Sequence, residues 1–277
     1  MTAALPPLLP RSYLFVPGNR PERFDKALAA GADAVIIDLE DAVPPESKVE
    51  ARAAVARWLT PQHAVVVRIN APGTLWFAED VALCALAGVD AVMVPKAERT
   101  AELQRIATVA VGRALLPLIE TASGFENARA LARVEGVQRL VFGSIDFQLD
   151  LGIQGDDELL AFRSQIVLVS RLANLAQPAD GVTTSIDDVA AVERDTARAR
   201  RLGFGAKLCI HPRQVEAVNR GFAPTEQELA WARRVLDAAA QAQGAAVALD
   251  GRMIDRPVVL RAQSIVDEAE ARSKASR

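Results

Sequence analysis

The sequence has little cysteine and no strong excess of either charge. Its two cysteines, Cys84 and Cys209, lie inside apolar segments. They provide neither a disulfide framework nor a Cys/His metal cluster, so we expect buried free thiols in a reducing compartment. The formal net charge of −3 over 277 residues gives none of the basic surface that nucleic-acid binding requires.

Long hydrophobic runs are also missing. No apolar segment reaches the roughly 18 residues that a membrane span needs. The first ten residues, MTAALPPLLP, lack a basic n-region and contain prolines, so we expect no signal peptide. These features favour a soluble, cytoplasmic protein without membrane partners. The sequence also lacks a GxSxG nucleophile motif and a Walker lysine loop.

A repeated pattern of short apolar runs, turns and amphipathic segments fills most of the chain. Hydrophobic residues make up 51% of the composition against 24% charged residues, which is enough for a large core. The apolar runs predict strands at 13–16, 34–39, 64–69, 91–94, 115–119, 140–142 and 207–210, with a weak eighth at 178–183. Helices are expected between them, at 21–29, 46–58, 75–87, 100–109, 124–133, 158–175 and 185–202.

This order predicts an α/β fold, a (β/α)8 TIM barrel with a C-terminal helical extension. We place the barrel at 1–220 and the extension at 221–277, with helices at 213–220 and 225–243 and a last helix after Pro257. The extension is expected to fold over a barrel mouth or onto a neighbouring subunit. The alternative is an open doubly wound sheet, but VPGNRPERF lacks the glycine-rich phosphate turn typical of that fold.

Two acidic residues end neighbouring predicted strands in the stretch 115–147. LLPLIE ends in Glu120, and RLVFGSIDF carries Asp146 near its end. The strands of a βαβ unit are parallel, so both acids are expected at the same edge of the sheet. Two carboxylates with water and substrate oxygens suit Mg2+, and we therefore predict a magnesium site. The alternative is that each acid caps the following turn or helix.

Other charged residues follow the predicted strands and are expected to share this barrel mouth. Arg68 is the candidate for binding a substrate carboxylate, although it can also form a salt bridge with Asp38 or Glu40. Lys96 is expected to pair with Glu120 or Asp41. His63 is predicted on the surface and His211 in a turn.

Eight ordered motifs resemble a known family. They are VPGNRPERF, VIIDLEDAV, VRIN, VPK, LIETASG, FGSIDF, GAKLCIHPRQ and GRMIDRP. Together they resemble the citrate lyase β-subunit-like proteins of the HpcH/HpaI aldolase superfamily. The resemblance implies a (β/α)8 barrel, often a trimer, that uses Mg2+. It also implies making or breaking a carbon–carbon bond between a 2-keto acid and a thioester of CoA or an acyl carrier.

The resemblance implies a role for individual residues. Glu120 and Asp146 match the metal ligands, and Glu120 also borders the substrate. Arg68 matches the residue that holds the keto-acid carboxylate. Asp255 in GRMIDRP matches an acid that enters a neighbouring subunit's active site and is the candidate general base. Asp41 stands in DLEDA where related divalent-metal aldolases carry a histidine base, which argues against that free-pyruvate branch. Asp41 is also counted among the catalytic candidates.

Substrate and partner are less closely defined by the sequence. Arg20, Arg23 and Lys48 are basic residues near the predicted mouth that suit the phosphates of CoA. The acyl-CoA substrate is expected to be of the malyl-CoA or citramalyl-CoA type. Alternative functions are a (3S)-malyl-CoA-type thioesterase, a citrate lyase β subunit that acts on an acyl-carrier protein, and a catalytically inactive barrel that only binds ligands.

Overall fold

The computed structural model describes residues 9–241 and 247–275. The chain divides into two compact units, Pro10–Phe222 and a second that holds the described residues from Ala223 onward. In the first unit, eight parallel strands close into a barrel in sequence order. The strands are β1 (Ser12–Pro17), β2 (Ala34–Asp38), β3 (Val65–Arg68), β4 (Val89–Val94), β5 (Ala114–Ile119), β6 (Val141–Phe142), β7 (Ala179–Asp180) and β8 (Ala206–Cys209).

Helices surround this barrel. They are α1 (Phe24–Leu28), α2 (Lys48–Trp58), α3 (Phe77–Leu83), α4 (Thr100–Val109), α5 (Ala122–Leu131), α6 (Ser144–Leu151), α7 (Leu160–Leu172), α8 (Val189–Leu202) and α9 (Val215–Phe222). Short 3-10 turns precede α1, α2, α7 and α9, at Pro21–Arg23, Pro45–Ser47, Asp157–Leu159 and Pro212–Gln214. The (β/α)8 architecture predicted from the sequence is confirmed.

Alternation along the strands divides the core into two layers. One cluster of buried residues takes side chains from all eight strands, among them Tyr13, Ile36, Val66 and Met93. Their chain neighbours, such as Leu14 and Ile37, belong to a larger cluster that includes the helices. The first cluster therefore fills the barrel interior, and the second lies between the barrel and its helices. Cys84 and Cys209 are free and buried, as expected.

Two elements of the barrel differ from the sequence prediction. The eighth predicted strand exists, but β7 has only the two residues Ala179–Asp180. Helix α6 was not predicted, because the residues after the strand predicted at 140–142 were interpreted as a strand end that carries Asp146. β6 ends at Phe142, and α6 begins after the single residue Gly143. Asp146 therefore lies in the first turn of a helix rather than on a strand end.

The second unit contains α10 (Glu226–Gln241), β9 (Val247–Leu249), β10 (Arg252–Ile254) and α11 (Arg256–Ala275). Its small core includes Ala232, Val235, Ile254 and Ala262. Thr225 and Glu228 form a capping box at the start of α10, because Thr225 Oγ1 accepts the Glu228 N–H at 3.1 Å and Glu228 Oε2 accepts the Thr225 N–H at 2.8 Å. The antiparallel hairpin of β9 and β10, with Asp250 and Gly251 between its strands, was not predicted.

The predicted domain boundary after residue 220 falls inside α9, and the division between the two units follows Phe222. Across the residues that the structure describes, no helix has both the length and the apolar character required to span a membrane.

Candidate active site

A cavity of about 430 Å³ opens at the C-terminal ends of the barrel strands. Its lining comes from five of the eight strands and from the segments that follow strands. The lining residues are Phe15, Pro17, Asp38, Asp41, Ala42, Arg68, Leu118, Glu120, Gly143, Ser144, Ile145, Asp146, Gly181, Val182, Leu208 and Ile210. The predicted residues Arg68, Glu120, Asp146 and Asp41 are therefore brought together in one cavity. This is the face on which (β/α)8 barrels carry their active sites.

Glu120 is deeply buried in the wall of this cavity, with 2% of its surface exposed. Its Oε1 accepts the backbone N–H of Lys96 at 2.8 Å. A Cβ built on Gly143 would lie 2.6 Å from both Cβ and Oε2 of Glu120, so only glycine allows the carboxylate this position. Burial raises the pKa of Glu120 to about 8, and the charges of Glu40 and Asp146 act in the same direction.

The arrangement of Glu120 and Asp146 fits a divalent cation. The two carboxylates line the same cavity, and the charge of Asp146 raises the pKa of Glu120. A cation between them would relieve this repulsion and the cost of burying the Glu120 carboxylate. Within the described residues no group of three or more His, Cys, Asp or Glu side chains is arranged to hold a metal. A two-carboxylate site completed by water and substrate oxygens is typical of Mg2+ rather than Zn2+.

Arg68 faces the cavity from the end of β3 and is held by the neighbouring strand. Its Nε and Nη2 donate to the two oxygens of Asp38 at 2.7 and 2.6 Å. Its guanidinium also lies 4.9 Å from the centre of the Phe15 ring. Burial acts to lower the pKa of Arg68, but Asp38 and Glu40 outweigh it and raise the pKa above its ordinary value. Arg68 is therefore a fixed cation whose Nη1 is not used by Asp38.

Glu40 connects Arg68 to Lys96. Its Oε2 lies 3.0 Å from Arg68 Nη1, at an angle that makes an ion pair rather than a hydrogen bond, and its Oε1 accepts Lys96 Nζ at 3.2 Å. Burial raises the pKa of this carboxyl group. The side chain of Lys96 thus pairs with Glu40. The sequence had suggested Glu120 or Asp41 as its partner, and that prediction was wrong. Only the backbone of Lys96, which has a positive φ of 46°, contacts Glu120.

Asp38 and Asp41 both lie near Arg68, but Asp38 is buried and Asp41 is exposed. Asp38 also accepts the backbone N–H groups of Glu40 and Ala42, at 2.9 and 3.2 Å, and so shapes the loop after β2. The side chain of Asp41 is 60% exposed and lies 3.9 Å from Arg68 Nη1. Asp41 therefore borders the cavity, and its catalytic role stays a prediction.

The structure contradicts a phosphate-binding role for Lys48. This residue is buried, and its Nζ donates to the backbone carbonyls of Leu39 and Glu40 at 3.0 and 2.9 Å. Its ammonium group holds the loop after β2 and is not presented to a ligand. Arg20 is exposed and its Nε donates to Glu22 at 2.6 Å, so its contact with a CoA phosphate stays a prediction.

The remaining candidates are Asp255 and the two histidines. Asp255 belongs to the second unit, where its exposed carboxylate accepts the Val258 N–H at 3.2 Å and caps α11. Its role as a base stays a prediction. His63 stacks on Trp58 at 3.8 Å just before β3, and His211 accepts the Arg213 N–H at 3.2 Å in a turn. Neither histidine lines the cavity.

Sequence reasoning placed Ser144 at this mouth but missed two small residues of the cavity wall beside it, Gly143 and Gly181. The Oγ of Ser144 is buried without a hydrogen-bond partner. A Cβ on Gly181 would lie 2.4 Å from that oxygen. FGSIDF contains two of these residues, but a close approach between segments leaves no periodic signal in a sequence.

The family model described as HpcH/HpaI aldolase/citrate lyase matches residues 11–212 of the chain. The chain belongs to this family. It is 39% identical to a citrate lyase subunit beta-like protein of Deinococcus radiodurans, with 94% of this chain and 98% of that protein covered. It is 32% identical to a (3S)-malyl-CoA thioesterase of Cereibacter sphaeroides, with 94% and 95% covered.

A solved structure of the same family closely resembles this chain. It is the protein CitE of Mycobacterium tuberculosis in complex with magnesium, acetoacetate and coenzyme A. The two share 36% identity and superpose with a TM-score of 0.84, over 94% of this chain and 98% of that one. The HpcH/HpaI aldolase/citrate lyase family is a family of lyases and aldolases, and the citrate lyase β-like resemblance of the motifs is confirmed.

Proposed function

We propose that this chain is a Mg2+-dependent carbon–carbon lyase. It cleaves a β-hydroxyacyl-CoA of the malyl-CoA or citramalyl-CoA type into an acyl-CoA and a 2-keto acid, or catalyses the reverse condensation. The observation that carries the proposal is the single cavity in which Glu120 and Asp146 lie together with the fixed guanidinium of Arg68. The family membership and the magnesium, acetoacetate and coenzyme A named for the CitE structure support it.

The residues of the cavity divide the work of such a reaction. Glu120 and Asp146 would hold Mg2+, which when bound polarises the keto-acid carbonyl and stabilises a developing alkoxide. Arg68, fixed by Asp38, would bind the keto-acid carboxylate through Nη1 and hold the reacting carbon in place. The lining also includes the apolar residues Leu118, Val182 and Ile210, whose side chains offer no polar atom to water.

The proton at the thioester α-carbon needs a general base, and Asp255 is the proposed one. Its side chain is exposed in the second unit. We propose that it acts on a neighbouring chain of a homotrimer, as the family resemblance implies. The mass of the assembly in solution, measured by sedimentation equilibrium, tests the trimer. A monomer that is fully active would exclude this arrangement.

A second candidate function is hydrolysis of the same thioester. It is favoured by the 32% identity to a (3S)-malyl-CoA thioesterase over nearly the whole of both chains. A water molecule would then attack the thioester carbonyl and release free CoA, and no carbon–carbon bond would be formed or broken. The chain is also 35% identical to a citrate lyase subunit beta, with 95% of this chain covered. This similarity supports a third candidate function, cleavage of a thioester carried by an acyl-carrier protein.

One assay separates these functions. The purified chain is incubated with Mg2+, glyoxylate or pyruvate, and acetyl-CoA or propionyl-CoA, and both condensed thioester and free CoA are followed. Condensed thioester without CoA release supports the lyase. CoA release matched by free hydroxy acid supports the thioesterase, and activity that requires an acyl-carrier protein supports the citrate lyase subunit. No turnover on any thioester, combined with no Mg2+ binding, would contradict the proposal.

A further inference from the structure

Gly181 is held by side chains at a point where the barrel has few backbone hydrogen bonds. The preceding strand β7 has two residues and one register pair with β6, between Ala179 and Val141. The N–H of Gly181 donates to Asp180 Oδ1 at 2.9 Å, and its carbonyl accepts Lys207 Nζ at 2.7 Å. Both polar groups of this backbone residue are therefore satisfied by side chains.

Asp180 and Lys207 are fully buried on the outer side of the barrel wall. Their chain neighbours Ala179, Ala206 and Leu208 belong to the interior cluster, so the alternation of the strand directs Asp180 and Lys207 towards the helices. Their exposed fractions are 0% and 1%. Neither residue lines the cavity.

A network of compensating charges surrounds these two residues. Arg163 of α7 donates from Nε to Asp180 Oδ1 at 2.9 Å and from Nη2 to Asp156 Oδ1 at 2.7 Å. Arg198 of α8 pairs with Asp156 and, at 3.3 Å, with Asp195. Such a network is costly to bury and adds little net stability compared with apolar packing. Asp180 and Lys207, which this network surrounds, contact the backbone of Gly181, and this points to a role in positioning that residue.

Gly181 is itself part of the cavity wall. A Cβ at this position would lie 2.4 Å from Ser144 Oγ and 3.0 Å from the carbonyl oxygen of Phe142. Ser144 also lines the cavity and precedes the candidate metal ligand Asp146 by two residues. A shift of Gly181 by a fraction of an ångström would therefore change the space beside Ser144.

We infer that Lys207 and Asp180 are positioning residues that fix Gly181 against Ser144 and so set the width of the keto-acid pocket. They act through the backbone of Gly181 and do not touch the substrate. This inference rests on the proposed function for the identity of the ligand. The competing explanation is that the charged network only joins α7 and α8 to the barrel.

Matched variants separate the two explanations. Lys207→Met removes the donor to Gly181 and keeps a side chain of similar length, whereas Lys207→Arg keeps a cationic donor. Arg198→Met removes a charge from the same network without a bond to Gly181. If Lys207→Met does not fold, Gly181→Ala tests the wall directly, because it leaves Lys207 in place and forces Ser144 to move.

The experiment combines two measurements on the full chain. Amide hydrogen exchange over residues 179–184 measures how well ordered the backbone of the cavity wall is. Calorimetric titration of oxaloacetate with Mg2+ present measures the affinity of the pocket for a keto acid. We expect Lys207→Met to speed exchange in this segment and to weaken oxaloacetate binding about tenfold. Lys207→Arg and Arg198→Met should stay near wild type in both.

Equal effects of Lys207→Met and Arg198→Met would overturn the inference, because they would show a structural role alone. Normal oxaloacetate affinity in a folded Gly181→Ala variant would also overturn it. If the wild-type chain with Mg2+ present binds none of oxaloacetate, pyruvate and glyoxylate, the proposed function fails. In that case faster exchange at 179–184 in Lys207→Met, absent in Arg198→Met, still supports the positioning of Gly181, and its absence excludes it.

Discussion

At the scale of single residues, Gly143 allows the Glu120 carboxylate to lie against the backbone. We predict that Gly143→Ala weakens Mg2+ binding at least about tenfold, because the new Cβ would lie 2.6 Å from Cβ and Oε2 of Glu120. Titration calorimetry with Mg2+ measures the affinity, and circular dichroism checks that the variant is folded. A folded variant with wild-type affinity would mean that the observed position of Glu120 is not needed for the metal.

Glu120 also predicts how Mg2+ binding depends on pH. Burial, followed by the charge of Glu40, raises its pKa to about 8 in the metal-free chain. Below this pH a proton must leave before the carboxylate can bind the cation. We therefore expect the apparent affinity for Mg2+ to rise with pH up to about 8 and then to level off. Affinity that is constant from about pH 6 to pH 8 would contradict this assignment.

The same shift has a defined sign for stability. The pKa of Glu120 in the folded chain lies above its ordinary value of 4.5, so the unfolded chain loses this proton more readily. Raising the pH from 4.5 to about 8 therefore disfavours the folded state, and Mg2+ offsets this loss. The protection of the fold by Mg2+, measured as a shift in melting temperature, should be largest at and above pH 8.

Single residues differ in how far the sequence predicts them. Glu120 was predicted because an acid directly after a buried apolar strand must reach the C-terminal edge of the barrel. Glu40 and Lys96 were both expected at that edge, but their pairing depends on how neighbouring strands are staggered. Gly143 and Gly181 were not singled out, since a contact with a distant segment has no local pattern.

At the scale of elements, the contact between β2 and β3 fixes Arg68, the cationic side chain proposed to bind the substrate carboxylate. Asp38 ends β2 and Arg68 ends β3, where the two are register partners. We predict that Arg68→Lys weakens keto-acid binding by about ten- to a hundredfold, because a lysine cannot bond both Asp38 oxygens and also a substrate carboxylate. Titration of oxaloacetate with Mg2+ present measures this loss.

Arg52 provides a matched control for that variant. It is about as buried as Arg68 and its Nε donates to Asp80 at 2.6 Å, between α2 and α3. Arg52→Lys should lower stability and leave oxaloacetate affinity unchanged, because Arg52 does not line the cavity. Equal losses of affinity in both variants would mean that Arg68 acts only through the stability of the barrel.

Elements were predicted best where the apolar runs are long. The helix predicted at 100–109 is α4 with the same bounds, Thr100–Val109. Helix α6 was missed because one glycine separates it from β6, and an apolar run across that glycine resembles a single strand. β7 was weak in the sequence for a physical reason: it forms few ladder bonds. Buried side chains from α7 and β8 instead hold Asp180 and Gly181.

At the scale of the whole molecule, the tail that leaves the barrel repeat forms a unit with its own small core. The proposed base Asp255 lies in this unit and caps α11. We predict that Asp255→Asn keeps Mg2+ binding and the cap, since an asparagine oxygen accepts the same N–H. It should lower turnover at the thioester by about a hundredfold or more, because the base is lost.

Asp250→Asn is the control for this variant. Asp250 lies in the turn of the same unit, has a positive φ of 51° that asparagine tolerates, and pairs with Arg234 at 2.6 Å. Its replacement should change turnover little. A fall in turnover equal to that of Asp255→Asn would assign both effects to the structure of the unit, and the base would have to be sought elsewhere.

We propose above that Glu120 and Asp146 together hold one divalent cation. The most direct measurement is the anomalous scattering of Mn2+ in crystals of the wild-type chain, with Glu120→Gln and Asp146→Asn treated in the same way. Mn2+ accepts the same oxygen ligands as Mg2+. We predict one peak per chain between the two carboxylates in the wild type and none in either variant. A wild-type peak elsewhere, or a peak that persists in both variants, would contradict the account.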